Sequence, residues 1–450
     1  PEPARQQALD RVMAGLHRAI VAWARGQEAA GTGGTIIAHG LAAAPYLARA
    51  GDWHALVTIL EQVINRDSSP GTLAAALPAL RQAAGEAGSL AAKGVLAKAL
   101  QMAGRGEEAE ALLRALIEDC AAAGEFRFAS GSAGELFNLL LMSGRAQEAL
   151  ALTERMKGFT ARTGLGPWTR LGNDAQRLQA LNALGRWDDV LAEAARLRQA
   201  MAELPETGTG KESVNPWAVR EVILDTGRQA AMMLKRWPEC LDLVDAMEAS
   251  QAARGAPALE RARTRFNAYS ALLGLRRYAE AGALLDACRR SFEREGDVVG
   301  LGTVFSALAD LAARRGHHDQ AVAHEEAALR YKYTAGDPGA AAVSHFNLAN
   351  YLTRTGAAPA RILAQRLAST LIDLQIQDGT LAQDIAALAR NLADFPDPAA
   401  LPASFAELCA RVEAVEGVRF QALFARLPAT CGSGDQALAL VLQAARQAPT

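Results

Sequence analysis

The stretch RTRFNAYSALLGLRRYAEAGALLDACRRSFERE, residues 263–295, contains one complete unit of a pattern that recurs along the chain. An apolar helical segment leads to a turn residue, here Arg276, and a basic or aromatic pair follows. A second helical segment then begins, with a small alanine, here Ala281, near its start. Apolar residues at helical spacing in both segments predict two antiparallel helices joined by a tight turn.

The turn of this unit recurs along the chain at a nearly constant interval. The eight turn residues are Gly51, Gly104, Gly144, Gly185, Lys235, Arg276, Gly316 and Gly356. Five of the seven steps between them are 40 or 41 residues, which chance seldom produces. One helix pair cannot bury its apolar stripe alone, so the pairs must stack on one another. We therefore predict an all-α fold, a right-handed superhelical solenoid of antiparallel helix pairs with repeats of about 40 residues.

The composition favours stacked helices and excludes several classes of function. Half of the 450 residues are hydrophobic but only 5% are aromatic, which suits close-packed helices better than sheets. The net charge is −2, so there is no basic excess for direct binding of nucleic acid. The chain contains no run of 18 apolar residues, so no membrane span is predicted. Five scattered cysteines indicate reduced thiols and a cytoplasmic protein.

Two steps of the repeat are longer than the others, and they help to divide the chain. SSPGTLAAALPALRQAAGEAG, residues 68–88, predicts an extra short helix, whereas LPETGTGKESVNP, residues 204–216, predicts an exposed loop. After Gln375 the pattern fades into helices that are expected to cap the array. We predict N-terminal helices and an atypical first repeat in residues 1–87, the repeat array in 88–376, and C-terminal capping helices in 377–450.

No motif in the sequence indicates catalysis, a metal site or a cofactor. The GTGK of residues 208–211 lacks the first glycine of a phosphate-binding loop, and Glu212 stands where a serine or threonine is needed. His318 and His324 are six residues apart, which places them on different faces of a helix. We predict no catalytic residue, no bound metal and no cofactor.

The helix pairs resemble the tetratricopeptide repeat in its longer-helix form, over about residues 36–369. In that family the first helix of each pair lines a concave groove, and an asparagine nine residues before the turn contacts the backbone of a bound peptide. Asn267 and Asn347 occupy that position before Arg276 and Gly356. The resemblance implies a groove for a protein or peptide ligand. Packing between helices is the alternative role for the two asparagines and for Phe266 and Phe346.

Helical spacing around these asparagines gives the full set of candidate groove residues. Asparagine amides suit a peptide backbone, and arginine suits a carboxylate. The candidates are Arg263, Phe266, Asn267, Ser270, Asp310, Arg314, Phe346, Asn347, Asn350 and Arg354.

Further stretches resemble the C-terminal helical arrays of bacterial STAND-type signalling proteins, among them GLGPWTRLGNDAQRLQALNALGRW (164–187) and AVSHFNLANYL (342–352). In that family an effector and an NTPase module precede the repeats. The resemblance implies a non-catalytic sensor or adaptor that binds a protein or peptide and acts with such a module on the same or a partner chain. A transcription-regulator array that binds a peptide or small molecule is the alternative. An enzyme with its active site in the terminal segments is a third, weaker interpretation.

Overall fold

The structure is a computed structural model that describes residues 3–27, 32–86, 88–428 and 430–448. The chain divides into two compact units, residues 1–230 and 231–450. The helices of the first unit are α1 (Pro3–Gly26), α2 (Gly33–Ala50), α3 (Trp53–Arg66), α4 (Pro70–Glu86), α5 (Leu90–Met102), α6 (Gly106–Ala122), α7 (Phe126–Met142), α8 (Ala146–Ala161), α9 (Pro167–Ala183), α10 (Trp187–Ala202) and α11 (Pro216–Met233), the last of which runs into the second unit.

The second unit continues the series of helices. These are α12 (Trp237–Ala253), α13 (Ala258–Phe266), α14 (Tyr269–Gly274), α15 (Tyr278–Glu295), α16 (Val298–Arg314), α17 (His318–Ala335), α18 (Pro338–Thr355), α19 (Pro359–Ile376), α20 (Leu381–Asp394), α21 (Phe405–Val412), α22 (Phe420–Phe424) and α23 (Gly434–Gln447), with a short 3₁₀ turn at Pro398–Ala400. Within the described ranges no residue forms a strand. The predicted all-α fold of tandem helix pairs is confirmed.

All eight predicted turn residues adopt the left-handed backbone conformation that ends a helix, with φ between 56° and 80°. The structure adds a second set of such turns between the pairs, which the sequence pattern did not single out. From Gly104 to Gly185, and again from Lys235 to Gln377, left-handed residues follow one another at steps of 20 or 21 residues. Each helix with its turn is therefore the unit of length, and the 40-residue repeat is two such units.

Two of the eight predicted turns carry a residue with a side chain, Lys235 at φ 56° and Arg276 at φ 57°. A Cβ atom makes this conformation costly, so Lys235→Gly and Arg276→Gly should each raise the free energy of unfolding by about 1 kcal/mol. Urea unfolding followed by circular dichroism measures the change. Arg277→Gly is the matched control: Arg277 has φ −81°, so glycine there should lower stability. A loss of stability in the first two variants would contradict this account.

The two longer steps of the repeat have different structural origins, as predicted. Residues 70–86 form the extra helix α4, but it has 17 residues and is not short. Residues 204–215 form a loop, and the Glu212 carboxylate accepts hydrogen bonds from the backbone N–H groups of Thr209 (2.9 Å) and Lys211 (3.0 Å). The loop amides that resembled a phosphate site thus bind a carboxylate of the loop itself. Residue 87, at the first predicted segment boundary, lies outside the described residues, and Ile376, at the second, is the last residue of α19.

Small residues close to the turns pack where the two helices of a pair meet. Ala109, Ala149, Ala281 and Ala321 are all fully buried. At the far end of the second unit, α19 is buried along most of its length. Its apolar side chains share one core with α18, α20, α21, α22 and α23, which therefore cover it.

One buried polar cluster joins α16, α17 and α18. Glu325 is fully buried, and its Oε1 accepts hydrogen bonds from the hydroxyls of Ser306 (2.9 Å) and Ser344. The ammonium group of Lys332 donates to Ser344 (2.5 Å) and to Ser306 (2.8 Å), and lies 4.0 Å from Glu325 Oε1. Burial raises the pKa of Glu325 and lowers the pKa of Lys332. The two serines therefore bridge a carboxyl and an amine that the interior solvates poorly.

Candidate ligand-binding site

A cavity of about 750 Å³ opens in the second unit between α16, α18, α19 and α20. Six of the ten predicted groove residues line it, namely Asp310, Arg314, Phe346, Asn347, Asn350 and Arg354. The repeat spacing brings them together because α16 and α18 are the first helices of successive pairs. Four arginines and two aspartates among the lining residues give the cavity wall an excess of two positive charges.

Arg366 of α19 is the most unusual residue in the wall of the cavity. Only 3% of this side chain is exposed, and no described carboxylate lies within ion-pair distance of it. Its Nε donates to Asn391 Oδ1 (3.0 Å), one terminal nitrogen donates to Asn350 Oδ1 (2.7 Å), and the other lies 3.4 Å from the Phe346 carbonyl oxygen. The guanidinium also lies 4.3 Å from the centre of the Phe346 ring. All of these direct contacts are to neutral groups, and the buried carboxylate of Asp384 acts on the guanidinium only from beyond ion-pair distance.

The electrostatics of the cavity follow from that arrangement. Burial lowers the pKa of Arg366 to about 10, so the side chain remains charged at neutral pH. Three of its five N–H groups have partners, which leaves two free to bind a ligand. Because Asn350 and Asn391 point their amide oxygens at Arg366, their NH₂ groups are directed elsewhere and can also donate. A ligand with acceptor oxygens would satisfy these donors.

Charged and amide side chains also lie at the mouth of the cavity. Asp310 accepts hydrogen bonds from Arg314 Nε at 2.9 and 3.0 Å, so this pair is internally neutralised. Arg354 and Arg390 are exposed and form no ion pair within the described part of the chain. The side-chain amide of Asn347 likewise has no hydrogen-bond partner among the described residues. These three side chains are available to an incoming molecule.

The other four predicted groove residues lie on α13, on α14 or at the break between them, and they do not line this cavity. Arg263 pairs with Asp297 at 2.9 Å, and Phe266 stacks on Tyr269 with ring centres 6.1 Å apart. Ser270 is exposed. Asn267 lies at the break between the two helices, where the N–H groups of residues 267 and 268 bond three residues back, to Thr264 and Arg265. The predicted single helix is therefore interrupted at the position of the expected ligand contact.

The charged and amide side chains of the wall that sequence reasoning missed come from α19 and α20, namely Arg366, Arg390, Asn391 and Asp394. A search limited to the first helix of each pair could not find them. One signal was present: PARILAQRLASTLIDLQI places an arginine inside an otherwise apolar run, at a position that helical spacing puts in the core. A charged residue at such a position indicates a functional or strongly satisfied site.

A second cavity, of about 710 Å³, lies in the first unit along α5, α7, α9 and α11. Its wall is mainly apolar and includes Phe128, Met156 and Val219. Glycines such as Gly131, with open space where a Cβ would stand, leave the room for it. Residues 213–215, from the loop that precedes α11, close one side. None of the predicted site residues lines this second cavity.

No protein-family model matches the sequence, and no curated protein matches it. Solved structures do match. Nearly identical TPR-like repeats of a Podosopora anserina kinesin light chain are 21% identical over 46% of this chain and 96% of theirs, with a TM-score of 0.37. Aspartyl phosphate phosphatase F of Bacillus subtilis is 11% identical over 81% and 91%, with a TM-score of 0.46, and yeast Tom70 is 12% identical over 97% and 96%, with a TM-score of 0.33. The similarity concerns the fold alone.

In its own geometry the chain resembles the tetratricopeptide repeat, through paired antiparallel helices of similar length that end in left-handed turns. In the ranges that the structure covers, no helix is both long enough and apolar enough to cross a bilayer.

Proposed function

We propose that this chain is a non-catalytic scaffold that binds a protein or peptide through an acidic segment, held in the cavity between α16, α18, α19 and α20. The observation that supports this most directly is Arg366, a buried cation at the wall of an open cavity with no described carboxylate within ion-pair distance. A charge in that setting is costly to bury, and an anionic ligand would offset the cost.

The chemistry of the wall favours a carboxylate on a polypeptide. The planar guanidinium of Arg366 presents paired N–H groups that match the two oxygens of a carboxylate. Asn347 and the NH₂ group of Asn350 offer the complementary amide contacts to a peptide backbone. Arg354 and Arg390 at the mouth would attract the same acidic segment from solution. Together these groups bind a carboxylate of the ligand at Arg366 and the extended backbone of the ligand beside it.

We further propose that the array is the sensor or adaptor part of a bacterial STAND-like signalling or immune system, with an effector or NTPase module on the same or a partner chain. The support for this role is the resemblance of residues 164–187 and 342–352 to such arrays. A ligand that contacts α16, α18 and α20 together favours one spacing of these helices over others. That difference in affinity is what a sensor transmits to an attached module.

A selection from a randomised octapeptide display library tests the binding proposal. The wild-type chain should enrich peptides rich in aspartate and glutamate, because the cavity wall is positive. The double reversal Arg354→Glu and Arg390→Glu should reduce that enrichment at least tenfold, since both side chains are exposed at the mouth. This double variant should keep the wild-type helicity, because neither side chain is part of the core.

The matched control is Arg290→Glu with Arg294→Glu on α15, which makes the same change in net charge away from the cavity. It should leave the selected peptides unchanged. If the wild-type chain enriches no acidic peptide, or if both double variants behave alike, the cavity is not the binding site.

A further inference from the structure

The first helix, α1, has two different faces along its 24 residues. One face packs into the first unit, where Ala14, Val21 and Ala24 are buried against the core. On the same face the buried carboxylate of Asp10 binds Arg49 at 2.8 Å, and His17 Nδ1 lies 2.9 Å from His39 Nδ1. This contact with α2 accounts for one side of the helix only.

The outer face carries a row of exposed apolar residues, which we call the α1 seam: Leu9, Val12, Leu16, Ala19 and Trp23. Their spacing is three, four, three and four residues, the heptad spacing of a coiled-coil contact. Four of these residues are strongly exposed, with exposed fractions of 53% for Leu9, 67% for Val12, 51% for Leu16 and 61% for Trp23. Apolar side chains at this spacing on an exposed helix face are typical of a surface that packs against another helix.

The residues beside the seam carry no charge. Ala8, Gly15 and Ala22 follow one edge, and Met13 and Ile20 follow the other. Coiled coils select a different partner through charges at these flanking positions, and α1 has none there. The small residues of the first edge also allow a second helix to approach closely. A seam of this kind is compatible with a copy of itself.

With Arg5 included, the spacing of the seam is the same in both directions: four, three, four, three and four residues. If two α1 helices lie antiparallel, with heptad positions alternating across the contact, Leu16 faces Val12 of the copy and Leu9 faces Ala19 of the copy. The last layer places Arg5, which is exposed, against Trp23 of the copy, a cation beside an indole ring. A parallel pair would instead place Arg5 against Arg5. Charge and side-chain size therefore favour the antiparallel arrangement.

We infer that two copies of this chain associate through the α1 seam, with the two helices antiparallel and related by a two-fold axis. The seam is a self-association site separate from the peptide cavity, which lies in the second unit, so the two proposals can fail independently.

Sedimentation equilibrium of the full chain between 1 and 100 μM tests this inference. We expect a dimer in the wild type. Leu16→Glu places a carboxylate at the centre of the contact and should raise the dimer dissociation constant at least 100-fold, as should Val12→Glu. Both positions are exposed in the single chain, so helicity should be unchanged. Arg11→Glu, on another face of α1, is the matched control and should leave the dimer intact.

Orientation is tested by Arg5→Gln. It should weaken an antiparallel dimer severalfold, because the cation leaves Trp23, whereas it should strengthen a parallel one by removing a repulsion. A wild-type chain that stays monomeric at 100 μM, or a dimer that survives Leu16→Glu and Val12→Glu, overturns the inference and leaves the seam to another partner. Tighter association of Arg5→Gln overturns the antiparallel arrangement.

Discussion

The Arg366→Met variant is expected to lose binding of acidic peptides and yet to unfold with a free energy about 1–3 kcal/mol higher than the wild type. Burial lowers the pKa of Arg366 to about 10, a shift that corresponds to roughly 3 kcal/mol of cost for keeping the charge inside. Methionine fills similar space without that cost. Water in the cavity can hydrate the oxygens of Asn350 and Asn391, which offsets part of the gain.

Urea unfolding and peptide binding, measured on the same preparation, check this expectation. Arg228→Met is the matched control, because Arg228 is also buried but is paired with Asp225 at 2.8 Å. Its loss leaves a carboxylate without its cation and should lower stability by about 1–3 kcal/mol. A clear loss of stability in Arg366→Met would mean that Arg366 serves the fold and not a ligand.

The second large effect is expected at the buried cluster of α16, α17 and α18. Lys332→Met should lower the free energy of unfolding by about 3–5 kcal/mol, because it leaves the fully buried Glu325 without a cation. Only the hydroxyls of Ser306 and Ser344 then remain to solvate the carboxylate. Adding Glu325→Gln to this variant should restore more than half of the loss, since the interior would no longer hold an unpaired charge.

Urea unfolding of the two single variants and the double variant, analysed as a double-mutant cycle, measures the coupling between Glu325 and Lys332. The matched control is Lys157→Met: this lysine lies 2.9 Å from Asp174 but is 35% exposed, so the loss should be below about 1 kcal/mol. Additive effects at Glu325 and Lys332 would show that the two groups do not stabilise one another.

The eight turns within the helix pairs could be predicted from the sequence because their cause is local. A left-handed residue that ends a helix favours glycine wherever it occurs, and the pattern placed even Lys235 and Arg276 correctly. The helix break at Asn267 could not be predicted in this way. Its neighbour Tyr269 donates a hydrogen bond to the carbonyl of Ala307, 38 residues away, and such long-range contacts decide local geometry there.

Only part of the cavity wall could be predicted, because long-range contacts determine the rest. Residues on α16 and α18 follow from the repeat spacing, whereas Arg366 is held by Asn350 and Asn391, which lie 16 residues before it and 25 residues after it. Only the packing of α20 against α19 shows that the arginine borders an open space. The apolar cleft of the first unit was missed because glycine and alanine on a helix face indicate close packing as readily as empty space.

The single extra helix α4 determines the direction in which the helices before it run. Helices joined by short turns alternate in direction, so the chain reverses at every turn. Inserting one helix therefore reverses the direction of every helix before it. Excising α4 with one neighbouring turn would rotate the start of α1 to the opposite rim of the first unit. Evolution can thus redirect the N-terminal helices by adding or deleting one helix, with the loss or gain of the contacts that α4 makes with α2, α3 and α5.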